Sequence, residues 1–447
     1  MGRSNLIHSG RLIFAMIFGL ASLLFAAGTG MAETTYALSP RVKGTYSLIS
    51  ANAAVRKGLD FIKADHENTM AEQKQICALP APPFQEQTRA EDYRRRLALL
   101  GLKDIQTDSE GNVFGLLPGT GKGPRLLVAA HLDTVFAKGT DTSVKEKDGK
   151  FYAPGISDNS RGLAALLSIL RAFRASGAKT TGDILFCGNV GEEGLGDLRG
   201  VKTLFRDHKD IDGFISIDSA GTGGIIFQGT GSHRYEITYQ GPGGHSFSAF
   251  GLPSATHALG RAMAKIADLK TPREPKTTFT VGTVRGGTSV NSIAAEASMQ
   301  MDMRSNGEKE LLELEAKFLE IVKGAAAEEN ARWGSDKMTV QIKLVGDRPA
   351  GSQPPDALIV QAAWASGETL GQKPKLADAG STDSNLPISL GIPAITVGGG
   401  GKDGGTHSPG EWFDPADAYL GAQQIFLTIV GLTGLEGVSA PLLPRKK

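Results

Sequence analysis

LLVAAHLDTV, residues 126–135, decides how this chain is read. Five apolar residues run into His131, and Asp133 follows two positions later. A short apolar run of this kind, bounded by Pro124, reads as a buried strand. The pattern recurs along the chain. ILFCGNVGEEGLG (184–196) runs into Glu192 and Glu193, and GFISIDSAG (213–221) runs into Asp218. APGISDNSRG (153–162) carries Asp158 in a turn, and GGTHSPGEW (404–412) carries His407 in a glycine-rich loop. Carboxylates and imidazoles at strand ends suit divalent ions such as zinc, manganese or cobalt. Five such sites, in order, predict the walls of one metal-binding pocket and hence a metallohydrolase.

The segments between them give the fold class. A helix is expected over 45–76, broken by the prolines of 76–84, and another over Arg89–Leu100. Strands are expected at Asn112–Leu117, Arg125–Ala130, Asp183–Gly188 and Gly213–Ile217, with a hairpin at 144–152 and a helix at Gly162–Ser176. Strands alternating with helices predict an α/β domain with a doubly wound, mostly parallel sheet. Sites in such sheets form beyond the carboxyl ends of the strands. The pattern changes near residue 229. HRYEITYQGPGGHS (233–246) alternates polar and apolar residues, and the order then reads helix, strand, strand, helix, strand to about 348. That is a small α+β (ferredoxin-like) unit inserted in the larger one. The α/β pattern resumes with a helix at 355–370, a strand at Ile392–Val397 and a helix over about 415–434. The expected organisation is therefore a catalytic domain at 33–228 and 349–435, an insert at 229–348, and a loose tail at 436–447.

The totals narrow the function. The chain has 447 residues and a net charge of +1, so nucleic acid is a poor fit as a partner. Arg3 and Arg11 precede an uncharged apolar run, Leu12–Ala27, with small residues up to Ala32. This predicts an export signal over 1–32, a secreted or bacterial periplasmic protein, and no stable membrane association after cleavage. The two cysteines, Cys77 and Cys187, are expected to stay unpaired.

HLDTV, SDNSRG, GEEG and GTHSPGE, in this order, resemble the M20 metallopeptidase family. That group contains tripeptidase T, carboxypeptidase G2, and the acetylornithine and succinyl-diaminopimelate deacylases. The resemblance covers nearly everything after the signal. It implies two divalent metal ions, zinc in preference. His131 and Asp218 would hold one, Glu193 and His407 the other, and Asp158 would bridge them. It also implies a cis peptide after Asp158. Of the adjacent acids, Glu192 would be the general base. His245, in the insert, fits the family's oxyanion-stabilising histidine, which in dimeric members comes from the partner subunit. Asn291 and Arg304 would hold substrate, and the insert would act as a lid or dimerisation domain.

Asp133 can be read from geometry alone. Residues two apart in a strand share a side. Its carboxylate is thus expected on the far nitrogen of His131, raising that ring's basicity. The expected activity is amide hydrolysis in short peptides, of the aminopeptidase or dipeptidase type. The alternatives are an N-acyl amino acid deacylase or a glutamate-releasing carboxypeptidase, and a non-catalytic binding protein on the same fold. A homodimer is the expected assembly if the insert pairs.

Overall fold

The computed structural model describes residues 36–446. The expected export signal lies outside them. Four helices come first: α1 (Pro40–Ala51), α2 (Ala53–Ala64), α3 (His66–Cys77) and α4 (Gln87–Leu99). The single helix expected over 45–76 is thus divided. Asn52 is extended, with ψ 132°, and its side chain accepts the N–H groups of Ala54 and Val55. That interaction starts a new helix rather than continuing the old one. The second break falls at Asp65.

The elements that follow are β1 (Lys103–Thr107), β2 (Val113–Leu117), β3 (Arg125–His131), α5 (Ser160–Ser176), β4 (Asp183–Asn189), α6 (Arg199–Asp207), β5 (Gly213–Ile217) and β6 (Gly224–Ile226). Next come β7 (Gly231–Gln240), α7 (Ala255–Ala267), β8 (Thr277–Gly286), β9 (Glu296–Ser305), α8 (Glu308–Trp333) and β10 (Thr339–Arg348). The chain closes with α9 (Leu358–Thr369), β11 (Lys375–Leu376), β12 (Ala394–Val397) and α10 (Tyr419–Thr433).

The larger sheet has the order β1-β2-β4-β3-β5-β12-β6-β11. Its central run, β4-β3-β5-β12, is parallel. The β1/β2, β2/β4 and β12/β6 pairs are antiparallel, so the sheet is mixed around a parallel centre. Both faces are covered. Leu127, Ala129, Leu185 and Cys187 pack with Val201, Leu204 and Phe205 of α6. Strand alternation leaves Phe186 for the other face, where Phe173 of α5 meets both Phe186 and Phe426 of α10. The site depends on one consequence of this. Four parallel strands bring their carboxyl ends, His131, Asn189, Ile217 and Val397, to one edge.

The segment 231–348 forms a second, antiparallel sheet of order β8-β9-β7-β10, with the element order expected for the insert. Met299, Met301 and Met303 of β9 are buried with Ile237 and Tyr239 against Phe318 and Val322 of α8. The alternate residues, Asp302 and Arg304 among them, face the other way.

The tail is not loose. Leu442 and Leu443 are buried, and their N–H groups donate to Gly431 and Leu432. Two leucines flanked by prolines have apolar area to bury and an uncovered helix end to bury it on. Cys77 and Cys187 are both buried and unpaired. No helix of the described residues is long and apolar enough to cross a membrane.

Candidate metal centre

β3 ends on His131, and the chain leaves the sheet there. His131 Nδ1 lies 3.0 Å from the backbone carbonyl of Asp133 and 3.7 Å from its carboxylate. The carbonyl therefore fixes the tautomer, and the expectation for the Asp133 side chain is corrected. Its carboxylate instead accepts the N–H of Glu192 at 3.1 Å and of Glu193 at 2.8 Å.

With Nδ1 occupied, His131 Nε2 faces Asp158 Oδ1 at 3.0 Å and Asp218 Oδ1 at 3.7 Å. The other oxygen, Asp158 Oδ2, lies 3.0 Å from His407 Nε2. His407 Nε2 also lies 3.0 Å from Glu193 Oε1. Asp158 therefore faces a different histidine with each oxygen. The Asp158–Asn159 peptide is cis, as expected. His407 sits at φ 63° in its glycine-rich loop.

The electrostatics show what this donor set wants. Asp158 and Glu193 sit on His407 and push its pKa up to about 10. Burial would lower His131, but Asp133, Asp158 and Asp218 outweigh it and hold the ring well above its ordinary value. Burial would raise Asp158, yet the two histidines hold it below the usual carboxylate range. Protons on the imidazoles are standing in for positive charge among crowded carboxylates. The donor atoms of His131, Asp158 and Glu193 lie within 4.8 Å of one another. His131 Nε2 and Asp158 Oδ1 are buried, yet neither makes a hydrogen bond. Two unsatisfied donor atoms facing each other inside a polar wall fit a shared cation.

Three further acids surround the site, and the first of them holds its loops together. Glu411 is fully buried and accepts the N–H groups of Gly155 at 3.0 Å, Ser157 at 2.8 Å and Asp158 at 3.0 Å. It ties the His407 loop to the Asp158 loop. Glu192 is buried at the cavity wall, where burial pushes its pKa well up. Arg348 opposes that shift, with Nη1 3.0 Å from Glu192 Oε1 and Nη2 on the Glu192 carbonyl. Asp383 is fully buried behind the site with Asn189 Nδ2 at 2.7 Å, and burial raises its pKa to about 7.

The cavity over these residues measures about 330 Å³, and Asp158, Glu192, Glu193, Asp218 and His407 line it together with Arg304 and Arg348. Seven of the expected site residues, His131 and Asp133 included, therefore meet, and Arg304 joins them from the second sheet. His245 and Asn291 do not. His245 belongs to the small ladder between 244–245 and 292–293, Asn291 lies beside it, and both line a separate cavity of about 620 Å³. Within one chain neither lines the cavity at Asp158. Arg348, Glu411 and the real work of Asp133 escaped the sequence reading. GTHSPGE held Glu411 in view, but nothing in it says that the acid bonds a loop 250 residues away.

Residues 127–430 match the family described as "Peptidase family M20/M25/M40". The chain is 24% identical over 362 residues to a succinyl-diaminopimelate desuccinylase of Corynebacterium glutamicum, covering 78% of this chain and 92% of that one. Its fold resembles an aminopeptidase PepT of Bacillus cereus, with TM-score 0.66 and 22% identity over 81% of this chain and 98% of that one. It also resembles a Bacillus subtilis protein described as a dinuclear metal binding peptidase, with TM-score 0.62 and 18% identity over 83% of this chain and all of that one.

Proposed function

The chain belongs to peptidase family M20/M25/M40 and is a metallohydrolase, and from that premise we propose a secreted peptidase that cleaves an amide bond in short peptides with two divalent cations. One observation carries the reading: the two oxygens of Asp158 face two different histidines, each 3.0 Å away. A bridging carboxylate has this form.

His131 and Asp218 would hold one cation and Glu193 and His407 the other, with Asp158 between them. Zinc is the first choice, with manganese or cobalt as alternatives. When bound, the pair supplies Lewis-acid polarisation of the amide carbonyl and makes the attacking water more acidic. Glu192 accepts the water's proton and passes it to the leaving amine. Asp133 sets where Glu192 and Glu193 stand. Arg348, 3.0 Å from Glu192 Oε1, works against the burial that favours the protonated acid and so makes the proton-accepting form easier to reach. Arg304 offers a grip on a substrate carboxylate. His245 and Asn291 would serve a neighbouring site in a homodimer, since within one chain they lie on another cavity. Export rests on the charged and apolar pattern of 1–32, with cleavage after Ala32.

A second reading, an N-acyl amino acid deacylase, draws on the likeness to the desuccinylase. Turnover of di- and tripeptides against N-acyl amino acids by the zinc-loaded protein separates the two. Glu192→Ala should keep its metal and lose roughly 10²–10⁴-fold or more in kcat. Undiminished turnover in that variant would remove Glu192 as the base.

A further inference from the structure

A row of four residues crosses the second sheet. Thr278 of β8 stands opposite Arg304 of β9, Arg304 opposite Ser232 of β7, and Ser232 opposite Arg348 of β10. Residues directly opposite in antiparallel strands share a face. The other face of this sheet is the one buried on the helices through Met299, Met301 and Met303. The row therefore lies on the face turned away from those helices, with Thr278 exposed, Arg304 partly exposed and Ser232 and Arg348 buried, and its ends have different surroundings. Arg348 touches Glu192 at the metal site. Thr278 lines a second cavity of about 790 Å³. Arg304, in the middle, lines both cavities, as does Ser381. Among the described residues, the Arg304 Nε bonds Asp302 at 2.8 Å and its two terminal nitrogens make no hydrogen bond.

The dimensions give a substrate length. Neighbouring strands lie about 4.8 Å apart, so three spacings separate Thr278 from Arg348 by roughly 14 Å. An extended peptide spans about 3.3–3.6 Å per residue, so about four residues cover that row. The first cavity, about 330 Å³, is at the small end of ligand sites. The cations and the attacking water would take part of it. The second cavity carries charges of both signs, Lys276 and Arg304 against Glu274 and Asp378. Such walls suit a zwitterionic peptide better than a polyanion.

We propose that the two cavities form one groove, and that the substrate is a peptide of three or four residues lying along the Arg348–Arg304–Thr278 row. This rests on the peptidase reading above. It places the reacting amide near Glu192 and the far end of the peptide over Thr278.

The test pairs binding with turnover. Alanine-based di-, tri-, tetra- and pentapeptides are titrated calorimetrically into zinc-loaded Glu192→Gln protein, and the same series is assayed with zinc-loaded wild type. Thr278→Trp and Ala377→Trp, made separately, fill the second cavity from two different walls. Affinity should rise about tenfold or more from dipeptide to tetrapeptide and then level off. Each Trp variant should lose that gain and keep dipeptide affinity, which also reports that it folds. Equal affinity at all lengths, or Trp variants that bind every peptide as the parent does, overturns the groove. Length-dependent binding without turnover in wild type upholds the groove and overturns the peptidase reading.

Discussion

Asp133 holds Glu193 by its backbone: Oδ2 accepts the Glu193 N–H at 2.8 Å while Oδ1 accepts that of Glu192 at 3.1 Å. One buried carboxylate thus sets the position of two neighbouring acids with different tasks. Asp133→Ala strands both N–H groups, each at a cost of about 1–3 kcal/mol. It should weaken metal binding by roughly 10–100-fold and lower kcat as well. Asp133→Asn can accept only one of the two bonds and should fall between. Metal titration against a chelator, together with turnover, checks the order.

Cation binding should release protons. In the metal-free chain the His407 pKa is pushed up to about 10 by Asp158 and Glu193, and His131 is held well above its ordinary value by its three carboxylates. Both rings are therefore protonated at pH 7, and a ligand imidazole must be neutral. The sign follows: affinity rises with pH until these groups have lost their protons, and falls as pH drops. Calorimetry of zinc binding in buffers of different ionisation heat should register release of up to two protons from these rings. A buffer-independent heat would contradict the assignment of both.

Much of the site could be read from the sequence because each ligand ends an apolar run or sits in a distinctive turn. The parallel centre of the sheet then forces His131 and Asp218 to one edge. What could not be read depends on where loops go. The spacing of His131 and Asp133 suggested a shared strand face, but β3 stops at His131, so the rule of two no longer applies. Arg348 ends a strand of the insert, and its partner Glu192 lies 156 residues earlier, beyond any local pattern. The break at Asn52 was hidden because a lone Asn inside an apolar rhythm is common, and only its extended backbone reveals the cap. The tail misled for a similar reason: two leucines among prolines look like linker until an uncovered helix end is known.

Glu411 should matter more to the second cation than to the first. It clamps the Asp158 loop to the loop that carries His407 through three backbone N–H groups. Glu411→Ala frees the His407 side of the site and leaves His131 at the end of β3 and Asp218 just past the end of β5. The expected result is a chain that keeps about one tight cation, loses the other, and melts several degrees lower. Atomic absorption after dialysis, with a thermal melt, reads both. Loss of both cations together would mean that Glu411 supports the whole centre.

The central claim is that His131, Asp158, Glu193, Asp218 and His407 gather around a pair of cations. The direct measurement is a crystal structure of the zinc-loaded protein with anomalous data collected on either side of the zinc edge. Two anomalous peaks about 3.5–4 Å apart are expected, one beside His131 and Asp218, the other beside Glu193 and His407, with Asp158 touching both. Peaks elsewhere, or a single peak that leaves either histidine uncoordinated, would contradict it.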